Sequence, residues 1–320
     1  MQGVITIFVV TIIIFILFQA SGSPLNALRV NPNLNQATLQ YYIELFGLDQ
    51  PWYVQLYRYI VNMFTFNFGP SLSQGRPVSS IVSEALPRTL FLFGGAVIIE
   101  YALGVFVGRY IAWKRGRFSE GTAILTSLFF YNMPSFWIAL ILLFAFAFEF
   151  PIFPLNGFTG PDFVVTHYPW AGEPGSLLFN LVDIVSHSFL PMLALVLITA
   201  AGSILLMQTS MLEVMGEDFI LTARAKGLSE RAVRRRHAAR NAYLPVVTSL
   251  AISLGFVVGG AIILEGIFNY KGLGTYLLIG IFNHDQFLAG AVLFMISVLV
   301  ISGNIVADIL YGWLDPRVRF

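Results

Sequence analysis

Long apolar runs alternate with short polar segments along this chain. Six of the runs are close to the roughly 20 residues that a helix needs to cross a bilayer. The segments between them are rich in Gly, Pro, Asn and charged residues, which is typical of loops. The pattern predicts an all-α integral membrane protein with six transmembrane helices. The predicted spans lie near residues 3–20, 86–112, 122–148, 186–211, 246–268 and 287–311.

The composition agrees with a membrane protein and excludes several other classes. Hydrophobic residues make up 57% of the 320 residues and charged residues only 11%, whereas soluble domains carry about 25% charged residues. The net charge of +1 argues against a nucleic-acid partner. Because the chain has no cysteine, disulfides, thiolate metal sites and cysteine nucleophiles are excluded.

The distribution of Lys and Arg predicts the orientation of the chain. Thirteen of the 18 cations follow the second, fourth and sixth predicted spans, and the other five lie in the remaining segments. Cytoplasmic loops of membrane proteins carry the excess of Lys and Arg. We therefore expect a multi-pass membrane protein with both termini in the cytoplasm.

This orientation divides the chain into four parts. They are a first transmembrane helix (1–20), an extracytoplasmic segment (21–85), a transmembrane core (86–311) and a cytoplasmic tail (312–320). We expect the first helix to be retained, since no Lys or Arg precedes its apolar core, although the residues around Ser21 also resemble a signal-peptide cleavage region. Residues 50–60 have aromatics at helical spacing. They predict a helix on the membrane surface, or a platform for an extracellular partner.

A polar block interrupts the apolar pattern between residues 213 and 245. Glu217 and Asp218 suit a helix N-terminus, and Arg224 and Lys226 suit its C-terminal end. Gly227 provides the residue that can turn left-handed and stop a helix, and Ser229 can cap the next one. The block predicts a helix of about ten residues, a turn, and a second basic helix that ends near Pro245. We interpret it as a shaped docking surface rather than a plain loop.

Three carboxylates lie inside predicted spans, where a central charge costs about 2.5–3.5 kcal/mol on insertion scales. Asp308 and Glu265 lie near opposite ends of their spans, so they can face protein or water. Glu100 lies deeper, and Arg109 or a partner chain could balance its charge. A proton relay through these groups would instead make the protein a secondary transporter.

Pro134 lies in the middle of the third predicted span. A proline there frees a backbone carbonyl and opens a kink. The kink can serve ordinary helix packing, or it can line a route through the membrane. The histidines of the chain have no metal-ligand spacing, so we expect no metal site.

The sequence resembles the permease subunits of the dipeptide/oligopeptide/nickel ABC importers. The motifs that carry the resemblance extend over nearly the whole chain. They are Phe46–Pro51, Pro87–Leu90, Met133–Trp137, Ser210–Phe219, Thr222–Leu228, His237–Pro245, Gly259–Ala261 with Glu265 and Ile267–Phe268, Gly272–Gly274, Asp308–Gly312 and Asp315–Arg317. Three positions depart from the family pattern: Met1–Gly3 lacks a basic pair, Ser21–Pro24 replaces a common Pro-Gly-Asp-Pro, and Leu221 stands where Arg or Glu is frequent.

The resemblance implies a specific role for the polar block. In the wider importer family the corresponding loop is a coupling helix that seats in a groove of a soluble ATPase. The residues that the resemblance assigns to ATPase coupling are Gly216, Glu217, Asp218, Phe219, Thr222, Ala223, Arg224, Ala225, Lys226 and Gly227. We expect the translocation path to involve Met133, Pro134, Phe136, Trp137 and Glu265.

The resemblance also implies the partners. The chain contains no Gly-x-x-x-x-Gly-Lys-Ser/Thr phosphate loop. We therefore expect a transport subunit without an ATPase site or cofactor of its own, with ATP and Mg on partner subunits. Besides lipid, the partners would be a homologous second permease, two ATP-binding subunits or domains, and an extracytoplasmic substrate-binding protein. Peptides are the expected cargo, with oligosaccharides or nickel as alternatives. A proton-coupled secondary transporter and a membrane scaffold are the competing classes.

Overall fold

The computed structural model describes residues 2–20, 22, 28, 36–260 and 262–314, and these are helical almost throughout. Their β-type pairing is an isolated antiparallel bridge between Pro70 and Pro77. The all-α class is thereby confirmed. The helices are α1 (Gln2–Ala20), α2 (Gln36–Phe46), α3 (Trp52–Phe64), α4 (Val78–Trp113), α5 (Phe118–Tyr131), α6 (Ser135–Leu143), α7 (Pro161–His167), α8 (Leu177–Met215), α9 (Asp218–Ala225), α10 (Glu230–Ala232), α11 (Ala239–Gly260), α12 (Ile262–Ile267), α13 (Leu273–Phe282) and α14 (Gln286–Leu314). Two π-helical segments, Phe144–Glu149 and Val233–Ala238, follow α6 and α10.

Among the described residues, four helices are long and apolar enough to cross a membrane: α1, α4, α8 and the segment Gln286–Ile309 of α14. A fifth crossing results if α5 and the helical stretch Ser135–Glu149 together form one span. These helices match the first, second, third, fourth and sixth predicted spans. The fifth, near 246–268, falls on α11 and α12, with residue 261 outside the described part, and it stays a prediction.

The third predicted span is not one continuous helix. Helix α5 ends at Tyr131, and the helical stretch from Ser135 continues at an angle of 98°. Pro134 precedes this stretch with an extended backbone, at ψ 132°. The sequence predicted a kink here, and the structure has a complete break.

The polar block differs from its prediction at its C-terminal end. Helix α11 runs through Pro245 without ending there, so the predicted stop at this residue is wrong. Pro87 and Pro191 likewise lie inside α4 and α8. Long transmembrane helices tolerate proline because neighbouring groups satisfy the freed carbonyls.

Two compact units make up the chain, and the first contains residues 1–90 and 258–302. Its core is formed by the buried faces of α1, α2 and α3 with α13 and α14. Tyr42 and Phe287 stack there with ring centroids 4.4 Å apart. Asp285 lies just before α14, is fully buried, and caps this helix by accepting a hydrogen bond from the Leu288 amide at 3.1 Å. Its other oxygen, Oδ2, accepts from the Ser71 hydroxyl at 2.6 Å.

The second unit contains residues 91–257 and 303–320. In it α4 crosses α8 at very close range, at the sequence Gly104-x-x-x-Gly108. A Cβ atom on Gly108 would lie 2.5 Å from the carbonyl oxygen of Ile204, and one on Gly104 would lie 2.4 Å from the Ser203 hydroxyl oxygen. Small residues four apart permit this approach of two helix backbones. Tyr101 adds polar contacts to α11, 2.8 Å from Ser249 Oγ and 2.7 Å from Ser253 Oγ.

Two predictions touch residues that the structure does not describe. Residues 315–320 of the predicted tail lie outside the described part of the chain, as do Ser21 and Ser23 of the possible cleavage region. The first helix itself is present as α1, and the predicted surface helix is present as α3. Trp52, Tyr53 and Tyr57 are exposed on α3, which fits both of its predicted roles.

Candidate coupling surface and translocation site

The polar block forms the helix, turn and cap that its sequence predicts. Helix α9 begins after Glu217, with Asp218 in its first turn and Arg224 in its last turn. Gly227 has the left-handed backbone, at φ +76°. Ser229 then caps α10, its side chain accepting a hydrogen bond from the Ala232 amide at 3.4 Å. Helix α9 is therefore short, with charged residues at both ends and a left-handed glycine in the turn that follows it.

Helix α9 is anchored by one face. Ile220 and Ala223 are buried, three residues apart on the same side of the helix. They belong to an apolar core that also contains Met207 and Met211 of α8 and Val233 of the following π-helical segment. Helix α9 therefore packs directly against α8 and against the π-helical segment that continues into α11.

The exposed residues of α9 and of the turn after it are partly apolar. Phe219 is 40% exposed, Leu221 58% and Leu228 40%. Aromatic residues are enriched in protein–protein interfaces, so the exposed Phe219 suits a surface that binds a protein partner. Leu221 and Leu228 were missed as site residues in the sequence. The signal that could have identified them is their apolar character within an otherwise polar block.

The remaining predicted coupling residues lie in α9 or next to its ends. Gly216 ends α8, and its backbone is right-handed, at φ −83°. The Thr222 hydroxyl donates to the Asp218 carbonyl oxygen at 3.0 Å, and Ala225 and Lys226 are exposed. Arg224 pairs with Glu230 of α10, with Nε and Oε1 3.0 Å apart. This exposed pair links the two helices across the turn, although such pairs stabilise a fold only weakly.

The predicted path residues Met133, Pro134, Phe136 and Trp137 lie at the break between α5 and α6. Phe136 and Trp137 are both about half exposed. The backbone carbonyl of Pro134 accepts from the Trp137 amide at 3.0 Å, so the proline starts the new helix. The break is thus followed by two half-exposed aromatic side chains in the first turn of α6.

Glu265, the fifth predicted path residue, has a different position. It is fully buried in the first unit. Its Oε1 accepts from the Thr89 hydroxyl at 2.8 Å, and its Oε2 accepts from the Thr275 amide at 3.2 Å. A Cβ atom on Gly272 would lie 2.5 Å from both carboxylate oxygens. In this conformation Glu265 joins α12, α13 and the start of α4, and it faces no open passage.

Glu100 and Arg109 do not meet, in contrast to the pairing considered from the sequence. Arg109 Nη1 donates to the Tyr243 hydroxyl at 2.9 Å. Glu100 is buried and hydrogen-bonds the Thr199 side chain. Asp308 is exposed near the end of α14. Within the described residues, these carboxylates therefore do not lie next to one another as a proton relay would require.

Comparison with known proteins gives consistent matches. Residues 101–320 match the family described as "Binding-protein-dependent transport system inner membrane component". The chain is 32% identical over 312 residues to the "Oligopeptide transport system permease protein AppB" of Bacillus subtilis, covering 97% of this chain and 94% of that protein. It is 34% identical over 286 residues to the "Dipeptide transport system permease protein DppB" of Escherichia coli K12, with 85% and 83% covered. The "Di/tripeptide transport system permease protein DppB" of Pseudomonas aeruginosa is 34% identical over 327 residues, with 98% and 95% covered.

Proposed function

The chain belongs to the family of binding-protein-dependent transport system inner membrane components, and we propose that it is the permease subunit of an ATP-driven peptide importer. Relatives that it matches over most of its length are named as oligopeptide and dipeptide permeases. It is a multi-pass membrane protein, and its part in the complex is to form half of the translocation path. A homologous permease, two ATP-binding subunits or domains and an extracytoplasmic binding protein complete the complex.

The observation that carries this proposal is the construction of α9. Its buried face is fixed to α8 and the π-helical segment through Ile220 and Ala223, while Phe219, Leu221 and Leu228 remain exposed. A helix built in this way acts as a lever. Closure of the ATP-binding subunits moves α9, and the attached α8 and α11 move with it.

In this proposal the polar block lies in the cytoplasm and both termini lie on the same side. Six spans satisfy that orientation, the fifth being formed by α11 and α12. In this proposal Phe136 and Trp137 line the path. The break at Pro134 supports this role, because irregular backbone at membrane depth is tolerated where it lines a cavity or is buried in protein. Glu265 serves as a buried tie between α4, α12 and α13.

The first experiment replaces an exposed residue of α9, so that folding is spared. We predict that Phe219→Asp lowers both ATP-driven peptide uptake and co-purification of the ATP-binding subunits by about tenfold or more, because a charge replaces an exposed aromatic side chain of the proposed interface. Membrane levels of the protein should not change. Uptake is measured with a labelled tripeptide in proteoliposomes that contain the whole complex.

Phe219→Leu is the matched control, since it keeps the apolar surface and should preserve both activities. Uptake that is unaffected by Phe219→Asp would contradict the coupling role. Uptake that needs no ATP and stops with a protonophore would instead show a proton-coupled transporter. Uptake of an oligosaccharide or of nickel, but of no peptide, would keep the coupling role and correct the cargo.

A further inference from the structure

A basic cavity lies in the second unit, beside the coupling surface but separate from it. Its volume is about 410 Å³. Its lining contains four arginines and two aromatic residues and, among the described residues, no carboxylate. The lining residues are Phe106, Arg109 and Tyr110 of α4, and Arg231, Arg234 and Arg235 of α10 and the π-helical segment.

Other groups hold two of the four arginines of this cavity in position. Arg234 lies over the Trp113 ring, with its guanidinium carbon 4.2 Å from the ring centroid. Arg109 is fixed by the Tyr243 hydroxyl at 2.9 Å. The nearby carboxylate of Glu230 is already paired with Arg224. The positive charge of the cavity is therefore not neutralised by the surrounding described residues.

Guanidinium groups arranged in this way suit a phosphate ester. Arginine presents planar sets of N–H donors that match phosphate oxygens. Lys114 adds charge at the rim, with its Nζ 4.4 Å from the centroid of the Tyr110 ring. The cavity thus has the donors and the charge for a single phosphate group.

An apolar stripe leads away from the cavity along α4. Ile99, Leu103, Phe106 and Tyr110 are all exposed, and their spacing of three or four residues places them on one face of the helix. The opposite face of α4 packs on α8 through Gly104 and Gly108. At 1.5 Å per residue the stripe is about 17 Å long, roughly half of the ~30 Å hydrocarbon core.

We propose that this cavity and stripe bind one anionic phospholipid. The phosphate group lies among Arg231, Arg234 and Arg235, and an acyl chain follows the stripe on α4. An acidic protein segment would leave the stripe uncovered, and a partner helix would leave the arginines without an anion. An anionic lipid provides both an anion for the arginines and an apolar chain for the stripe. Given the orientation under Proposed function, the lipid belongs to the cytoplasmic leaflet, but the binding itself does not depend on that function.

The test measures lipid binding to the purified full-length chain by native mass spectrometry in a neutral detergent. Phosphatidylglycerol and phosphatidylcholine with identical acyl chains are the probes. We expect the wild type to prefer phosphatidylglycerol, and the combined change Arg231→Gln, Arg234→Gln, Arg235→Gln to weaken that preference by about tenfold, because polybasic clusters supply the attraction to anionic lipid. If this variant does not fold, Arg231→Gln with Arg235→Gln alters only exposed side chains.

The matched control removes the same charge elsewhere. Arg115, Arg236 and Arg240 are exposed and do not line the cavity, so their combined replacement by Gln should leave the preference within about twofold. An equal loss in this control would overturn the proposal in favour of general surface charge. Displacement of the lipid by soluble glycerol phosphate would show that the cavity recognises the phosphate group alone and not a lipid. Intact lipid preference combined with lost binding of the ATP-binding subunits would assign the arginines to a protein contact.

Discussion

At the scale of single residues, the buried carboxylate of Asp285 accepts four hydrogen bonds. Its Oδ2 accepts from the Ser71 hydroxyl and from both the amide and the hydroxyl of Ser73, at 2.6–2.9 Å, and its Oδ1 accepts from the Leu288 amide. A buried carboxylate is stabilised when donors surround it in this way. The residue therefore joins the segment before α4 to the N-terminus of α14.

We predict that Asp285→Asn lowers the free energy of unfolding by about 1–3 kcal/mol. The substitution replaces one acceptor oxygen of the carboxylate by an NH2 group, so a buried donor group loses its acceptor and faces another donor. The measurement is the thermal unfolding of the purified protein in detergent, followed by tryptophan fluorescence. Asp162→Asn is the control, because Asp162 is exposed in the first turn of α7. Equal thermal stability of both variants would show that the contacts at Asp285 are dispensable.

Some residues of the site could be predicted from their own chemistry, and others could not. Gly227 and Ser229 act within their own turn, so the left-handed backbone and the helix cap followed from the sequence. Glu265 could not be placed, because its partners Thr89 and Thr275 come from other elements. Only the folded chain shows that its carboxylate is enclosed.

At the scale of elements, the contact between α4 and α8 depends on the absence of side chains at two positions. We predict that Gly108→Ala destabilises the protein by about 1–3 kcal/mol, because its new methyl group would overpack against a backbone carbonyl that cannot move independently. Gly94→Ala, in the same helix, is the control. Its Cβ would meet nothing within 4 Å, and alanine favours a helix over glycine by about 1 kcal/mol. Thermal unfolding that changes equally in both variants would contradict a close contact at Gly108.

The prolines show where prediction of the elements was limited. Pro87, Pro191 and Pro245 lie inside continuous helices, whereas the chain breaks at Pro134 and turns by 98°. A proline removes one hydrogen bond in every case. Whether the helix continues depends on whether neighbouring elements supply hydrogen-bond donors to the freed carbonyl groups. The hydropathy of the sequence does not contain that information. For the same reason the positions of the spans were predicted more successfully than their continuity.

At the scale of the whole molecule, the chain combines long apolar helices with a short polar block at residues 213–245. The apolar pattern sufficed to identify a multi-pass membrane protein, because the bilayer sets the length of every span. The side of the membrane on which each loop lies is a separate question, and the positive-inside rule is the basis for the proposed orientation. Since the chain has no native cysteine, a single introduced cysteine can report the location of any exposed loop.

We predict that Lys226→Cys, in the loop after α9, reacts with a membrane-impermeant maleimide only after the cells are permeabilised. Gln74→Cys, in the predicted extracytoplasmic segment 21–85, and Glu173→Cys, between the third and fourth predicted spans, should react in intact spheroplasts. All three positions are exposed in this chain, and the permease is expressed without the ATP-binding subunits, so that unequal labelling reflects the side of the membrane rather than burial. The cysteine-free wild type is the control for background labelling. Labelling of Lys226→Cys in intact spheroplasts would place α9 outside the cell, where it could not meet an ATP-binding subunit, and the proposed coupling mechanism would have to be abandoned.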